Sequence, residues 1–108
     1  SELFGGDFTA KDFRTWHATV IFAASLAIAP PADTKTSRAR VVRTSVGEVA
    51  TYLGNTPTVA KNSYIDPRIV DLYESGSTIA DAASRTYRTP AARQASLEKA
   101  LLQLLDLG

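Results

Sequence analysis

Three prolines in this sequence each follow a residue that commonly caps the N-terminus of a helix. The pairs are Thr56-Pro57, Asp66-Pro67 and Thr89-Pro90. Threonine and aspartate accept hydrogen bonds from the first turn of a helix, and proline fits the first helical position, where its missing N–H group is not needed. Each pair therefore predicts the start of a helix, and together they divide the second half of the chain into short helices.

The remaining proline and glycine residues extend this prediction to the whole chain. Proline ends the first predicted helix at Pro30-Pro31, and glycine ends two others at Gly54 and Gly76. The predicted helices cover residues 9–29, with Thr9 as N-cap, and residues 38–53, 57–64, 67–74, 79–85 and 90–107, with a polar loop over residues 31–37. Strand-like alternation of apolar and polar residues is scarce, so the predicted fold class is all-α.

Apolar residues recur at helical spacing in three of these helices, which indicates the faces that form the core. The expected stripes are Phe13, Trp16, Val20, Ala24 and Ala27 in the first helix, Val42, Val46, Val49 and Leu53 in the second, and Leu97, Leu101, Leu104 and Leu105 in the last. The 108 residues are 44% hydrophobic and 21% charged, which predicts one soluble globular unit over residues 1–108.

Composition excludes several classes of site. Cysteine is absent and histidine occurs once, which rules out disulfide frameworks, cysteine-ligated metals, thiol nucleophiles and sites with several histidine ligands. We therefore expect no metal site. We also expect no membrane association, because the most apolar run, residues 19–29, is too short to cross a bilayer. No signal peptide is visible, so a cytoplasmic location is expected.

Two polar side chains are candidates for holding a phosphate group. Arg14 lies in the segment Lys-Asp-Phe-Arg-Thr-Trp, residues 11–16, and a guanidinium can hold two phosphate oxygens. Asn55 lies in Leu-Gly-Asn-Thr-Pro, residues 53–57, where its amide can donate to a phosphate oxygen and free N–H groups around Val59 would add to an anion site. The structural alternatives are an ion-paired surface arginine and an ordinary turn asparagine.

Tyr64 is the candidate nucleophile. It lies in Ser-Tyr-Ile-Asp-Pro-Arg, residues 63–68, at the hinge between two predicted short helices. A phenol has a pKa near 10, so its ionisation costs about 3 kcal/mol at about pH 7.5, and a nearby arginine would have to offset this cost. The alternative is a buried tyrosine whose hydroxyl bonds to the backbone, which is our interpretation of Tyr52, Tyr73 and Tyr87.

Spacing limits how Asn55 and Tyr64 can share a ligand. On one straight helix their separation of nine residues would put them on opposite faces about 13 Å apart. Gly54 and Pro57 instead predict that Asn55 lies outside the helix that carries Tyr64. Because helical side chains lean toward the N-terminus of their helix, the two groups can then converge.

Taken together, the three segments resemble the type IB DNA topoisomerases, especially their short bacterial and poxvirus forms. Residues 9–16 are similar to the family segment that holds the second catalytic arginine. Residues 53–57 are similar to the segment with a histidine or asparagine at the scissile phosphate, and residues 63–68 to the segment around the tyrosine nucleophile. The resemblance covers residues 8–75 and implies the helical part of a catalytic domain shared with tyrosine recombinases.

The resemblance implies a specific chemistry. Tyr64 attacks a phosphodiester of the DNA backbone, forms a 3′-phosphotyrosyl link and releases a 5′-hydroxyl. The DNA then rotates, loses supercoils and is resealed. Arg14 stabilises the pentavalent transition state, and Asn55 assists with a hydrogen bond. The implied enzyme is an ATP-independent isomerase that needs neither a metal nor a nucleotide cofactor.

Double-stranded DNA is the implied partner, bound by a monomer at the bacterial nucleoid. The expected DNA contacts are five basic residues: Lys11, Arg38, Arg40, Arg43 and Lys61. The three arginines crowd the N-terminal half of the second predicted helix, where the helix dipole disfavours positive charge unless an external anion compensates. The alternative interpretation of this cluster is a solvated helix face.

Part of the family pattern has no counterpart here. Another arginine and a general-acid lysine lie earlier in these enzymes, in a region that bears a β-hairpin, and only residues 1–13 precede Arg14. We therefore expect residues 1–108 to form the C-terminal helical part of the catalytic domain, without the N-terminal clamp domain. Such a fragment should relax DNA poorly or not at all, because general-acid catalysis typically contributes about 10² to 10⁴-fold.

Three alternatives remain open. A tyrosine recombinase fragment would usually carry histidine where Lys11 stands and Gly-His where Gly54-Asn55 stands, so both positions favour a topoisomerase. A non-catalytic helical DNA-binding module would use its arginines as phosphate contacts. A purely structural helical bundle would not bind DNA.

Overall fold

The protein is described by a computed structural model that covers residues 10–107, with side chains from Phe13 to Asp106. Its six helices are α1 (Ala10–Ile28), α2 (Lys35–Leu53), α3 (Pro57–Tyr64), α4 (Pro67–Glu74), α5 (Ala80–Ser84) and α6 (Pro90–Leu107). Residues 10–107 contain no strand. The predicted all-α fold class is confirmed.

The helix starts predicted from proline pairs are confirmed. The Thr56 and Thr89 hydroxyls accept hydrogen bonds from the backbone N–H groups three residues further on, at 3.3 and 3.1 Å. The Asp66 carboxylate accepts from the N–H group two residues further on, at 2.9 Å. The predicted N-cap Thr9 lies outside the described residues.

The second helix begins earlier than predicted. It starts at Lys35 rather than residue 38, so the last three residues of the expected loop are helical. Thr34 and Ser37 cap each other, since each hydroxyl accepts from the other residue's backbone N–H, at 3.0 and 3.1 Å. This start was missed because a capping box is normally recognised by Glu or Gln at the position that Ser37 occupies.

Helix α1 is the centre of the fold. It contacts α2, α3, α5 and α6, and from Phe13 onward six of its side chains are buried: Trp16, Ala18, Val20, Phe22, Ala23 and Leu26. The predicted stripe was wrong at Phe13, which is 53% exposed and stacks on His17 with ring centroids 4.6 Å apart. Ala18, which lay beside that stripe, is fully buried. A single stripe was too narrow because α1 is covered from several sides.

The apolar faces of the other long helices follow the prediction more closely. In α2, Val46, Val49 and Leu53 are buried and Val42 is half-buried. In α6, Leu97 and Leu101 are buried, while the last two leucines of the predicted stripe pack at the edge of the core. Over the described residues, no helix is both long and apolar enough to cross a membrane.

Candidate active site

Arg14 joins the start of α1 to the end of α2. Its side chain is exposed, and Nη2 donates a hydrogen bond to the carbonyl oxygen of Leu53, the last residue of α2. This carbonyl is one of the last four of its helix and has no partner within the helix. Positive charge there is also favoured by the helix dipole. Arg14 therefore caps α2, and its remaining N–H groups have no partner in the part of the chain that the structure describes.

Asn55 lies in the turn of residues 54–56 that connects α2 to α3. We call this turn, together with the end of α2, the joint. Gly54 adopts a left-handed conformation with φ of 71°, and the Asn55 N–H donates to the Ala50 carbonyl at 3.0 Å. Asn55 thus lies outside α3, as predicted from Gly54 and Pro57. The Asn55 side chain is exposed, and its carboxamide group has no hydrogen-bond partner among the described residues. Arg14 contacts the chain at Leu53, two residues before Asn55.

One expected donor at this joint is already in use. The N–H group of Val59 was predicted to be free for an anion, but it donates to the Thr56 hydroxyl at 3.3 Å. For Val59 itself the prediction was wrong, because the threonine that caps α3 accepts this hydrogen bond. Of the groups predicted to hold a phosphate, the side chains of Arg14 and Asn55 are exposed here.

Tyr64 lies at the far end of α3. It is the last residue of that eight-residue helix, half-buried and packed against the edge of the core. At 1.5 Å per residue, α3 separates Pro57 from Tyr64 by about 10 Å along its axis. Within the described residues, the Tyr64 hydroxyl makes no hydrogen bond, so the structure does not join it directly to Arg14 or Asn55.

The other tyrosines differ from one another. The Tyr87 hydroxyl donates to the Ala82 carbonyl at 2.8 Å and lies 2.8 Å from the Ser96 hydroxyl, which confirms its structural interpretation. Tyr73 is half-buried against the core. Tyr52 was predicted to be buried, and this was wrong because its side chain is 48% exposed, next to the end of α2. Periodicity offered no signal for this exposed ring.

The arginine closest to Tyr64 in sequence is occupied. Arg68 contacts the Asp66 carboxylate through Nε and Nη2, with the shortest distance at 2.7 Å. Hydrogen bonding to Arg68 lowers the pKa of Asp66, partly opposed by burial, and the same contact raises the pKa of Arg68. Arg68 therefore stabilises the start of α4, and the contacts of its guanidinium are with Asp66 rather than with Tyr64.

The predicted DNA contacts lie on more than one surface. Arg40, Arg43 and Lys61 are exposed, and the last two line one groove of about 400 Å³ between α2, α3 and α4. Arg38 is half-buried, and its Nη1 donates to the Ala32 carbonyl at 3.4 Å. Lys11 falls in the first turn of α1, and its side chain lies outside the described part. The groove is lined by two cations, Arg43 of α2 and Lys61 of α3, and by the Glu74 carboxylate of α4.

Metal ligands do not cluster in the described part of the chain, where no group of three His, Cys, Asp or Glu side chains could hold an ion. The family model described as eukaryotic DNA topoisomerase I, catalytic core, matches residues 2–92. No curated protein matches the chain. The matched range includes all three candidate residues, Arg14, Asn55 and Tyr64, and ends within the first turn of α6.

Proposed function

Because the chain belongs to the family of the eukaryotic DNA topoisomerase I catalytic core, we propose that Tyr64, Arg14 and Asn55 act together on a backbone phosphodiester of double-stranded DNA. The proposed activity is type IB relaxation of supercoiled DNA through a transient break in one strand. The family match carries this proposal, since it spans all three residues. The contact of Arg14 with Leu53, two residues before Asn55, supports it.

The proposed reaction proceeds by two transfers of one phosphoryl group. The Tyr64 oxygen bonds to phosphorus as the bond to the 5′-oxygen breaks, which leaves the 3′-phosphate on tyrosine. The departing 5′-oxygen takes up a proton, and the phenolic proton passes to solvent. After the DNA has rotated, the 5′-hydroxyl attacks the same phosphorus and releases Tyr64. The phosphotyrosyl bond conserves the energy of the phosphodiester, so the reaction needs neither a nucleotide nor a metal.

Arg14 and Asn55 would stabilise the charge that develops on phosphorus. The contact with Leu53 holds the Arg14 side chain near the end of α2 and leaves other N–H groups of its guanidinium for a ligand. Preorganised donors of this kind are worth more in the transition state than in the ground state. Because helical side chains lean toward the N-terminus of their helix, the lean of Tyr64 shortens its distance from the joint.

Phosphates along the duplex would bind the basic residues Lys11, Arg38, Arg40, Arg43 and Lys61. Arg43 and Lys61 carry most of this proposal, because they are exposed in one groove next to α3. Each phosphate that a cation neutralises should lower log K by about 0.9 per log unit of salt. We propose a monomer of the short bacterial and poxvirus branch that acts on the bacterial nucleoid.

We also propose that the chain forms the C-terminal part of a larger catalytic unit. Residues 1–13 hold Lys11 as their one basic residue, so they do not contain both the further arginine and the general-acid lysine. The chain by itself should therefore relax supercoiled plasmid poorly. Efficient relaxation by stoichiometric amounts of the chain would contradict this part of the proposal.

In the test, sulfur replaces the bridging 5′-oxygen, which is the leaving group of the cleavage step. Cleavage then no longer needs a general acid to protonate the leaving group. A thiol has a pKa near 8.5, far below that of an alcohol, and a thiolate departs without a proton. The chain is incubated with duplexes that carry one bridging 5′-phosphorothiolate in randomised flanking sequence. Denaturing gels then show any covalent complex of protein and DNA.

We expect an adduct with the wild-type chain and none with Tyr64→Phe. Tyr52→Phe is the matched control, because Tyr52 is an exposed tyrosine near the same joint and should retain the adduct. Arg14→Ala and Asn55→Ala should both slow adduct formation, the first more strongly. A wild-type chain that forms no adduct, or an adduct that persists in Tyr64→Phe, would overturn the proposed role of Tyr64.

A further inference from the structure

Helix α6 is bonded to α1 close to Arg14. The indole Nε1 of Trp16 donates to Oε1 of Glu98 at 3.2 Å, and the Trp16 side chain is 8% exposed. The second carboxylate oxygen, Oε2, accepts from Nε2 of Gln94 at 3.0 Å. Both oxygens of Glu98 thus accept hydrogen bonds from neutral donors, which restricts the orientation of the carboxylate more than one bond would.

Trp16 is the residue at which α1 enters the core. Before it, Phe13 and Arg14 are exposed, and after it Ala18 and Val20 are buried. The contacts that hold the start of α1 therefore include Arg14 on the end of α2 and Trp16 on α6. Since the two residues are two positions apart on one helix, a rotation of α1 that freed the indole would also displace the guanidinium.

We propose that Glu98 is a positioning residue for Arg14. Glu98 fixes the indole of Trp16, the indole fixes the rotation of α1, and α1 holds the Arg14 guanidinium against the Leu53 carbonyl. This role lies in α6, of which residues 93–107 fall beyond the family match. The mechanical part of this proposal, that Glu98 controls the position of the Arg14 side chain through Trp16, depends only on the contacts described above. Its catalytic consequence rests on the proposed function of Arg14.

The mechanical part is tested without DNA, by the carbonyl carbon resonance of Leu53 in the labelled 108-residue chain. The chemical shift of the Leu53 carbonyl carbon in the Arg14→Ala chain is the reference for a carbonyl that has lost its guanidinium donor. We expect Glu98→Leu to move the resonance at least halfway toward that position. Glu98→Gln should leave it near the wild-type position, because the amide oxygen still accepts from the indole. Lys99→Leu is the matched control on the exposed face of α6 and should have no effect.

Trp16→Phe provides a second variant if Glu98→Leu does not fold. It keeps an aromatic ring in the core and removes the N–H donor, so it should move the Leu53 resonance in the same direction. An unchanged resonance in the folded Glu98→Leu or Trp16→Phe chain overturns the positioning role. A general loss of stability alone would not shift this one carbonyl selectively.

The catalytic consequence is read from adduct formation on the phosphorothiolate duplexes. Glu98→Leu should reduce the rate at saturating DNA by about 10-fold to 100-fold, as expected for a misplaced catalytic group. The DNA concentration that gives half the maximal rate should stay the same, and Glu98→Gln should restore the rate. An unchanged rate in Glu98→Leu refutes the positioning role in catalysis. A wild-type chain without adduct refutes the proposed function, while the Leu53 resonance still decides the role of Glu98.

Discussion

Arg14 has a structural role that can be separated from its proposed catalytic one. Replacement by alanine removes a charged hydrogen-bond donor from the Leu53 carbonyl and a positive charge from the end of α2. A charged hydrogen bond contributes about 1.5–3 kcal/mol when sheltered, and charge at a helix end about 0.3–1 kcal/mol. Because Arg14 is exposed, we expect Arg14→Ala to lower the free energy of unfolding by about 1 kcal/mol. For a domain of this size that corresponds to about 4–8 °C in Tm.

Arg14→Lys should separate the two roles. Lysine keeps the positive charge and a donor for the Leu53 carbonyl, so the Tm should stay within about 3 °C of wild type. It lacks the planar fork that holds two phosphate oxygens while another N–H group contacts the helix end. Adduct formation on the phosphorothiolate duplexes should therefore fall by about 10² to 10³-fold.

Thermal unfolding followed by circular dichroism, together with the adduct assay, measures both effects. Arg40→Ala is the matched control for stability, because Arg40 is an exposed arginine within α2 and makes no hydrogen bond among the described residues. A Tm in Arg14→Ala equal to that of wild type would refute the capping role. A wild-type adduct rate in Arg14→Lys would refute two-point contact with phosphate.

Three further predictions concern the scaffold. Tyr87→Phe removes a hydroxyl that bonds a backbone carbonyl and a serine, and should cost about 1 kcal/mol in urea unfolding; an unchanged midpoint would contradict this. The lowered pKa of Asp66 means that its carboxylate stabilises the folded chain above the ordinary value of 3.8, and that this contribution disappears as the pH falls through the folded pKa. Stability curves of wild type and Asp66→Asn should therefore converge on acidification, and parallel curves would disprove the linkage. Ser25→Ala leaves the Ser45 hydroxyl buried without its partner 2.8 Å away and should cost about 1–3 kcal/mol, whereas the double alanine variant should cost less than the sum of the single ones; additive losses would argue against the pair.

The sequence alone was sufficient to predict helix boundaries that are determined by adjacent residues. Helices α3 and α4 begin and end where Thr56-Pro57, Asp66-Pro67 and the residues after them predict. The placement of Asn55 outside the helix of Tyr64 followed from Gly54 and Pro57 in the same way. Capping residues, proline and glycine act through the hydrogen bonds and dihedral angles of their own short segment. Their effect can therefore be predicted without knowledge of the rest of the fold.

The periodicity of apolar residues was insufficient to predict the burial of individual side chains, because burial depends on the helices that pack around them. Phe13, predicted to be in the core, is exposed, and Ala18, which is not in the predicted stripe, is fully buried. The periodicity of α1 does not show which neighbouring helices cover it, and contacts with α2, α3, α5 and α6 decide which side chains are buried. Tyr52 is exposed for the converse reason, since no neighbouring helix covers it enough to bury it.

The candidate site shows the same division. Sequence identified Arg14, Asn55 and Tyr64 as polar groups at helix edges. It did not predict that Arg14 contacts a carbonyl 39 residues away, or that Trp16 contacts a carboxylate 82 residues away. These contacts form because the packing of α2 and α6 on α1 fixes where their ends lie. Spacing along the chain specifies the residues of each helix face, and only the relative placement of the helices decides which faces meet.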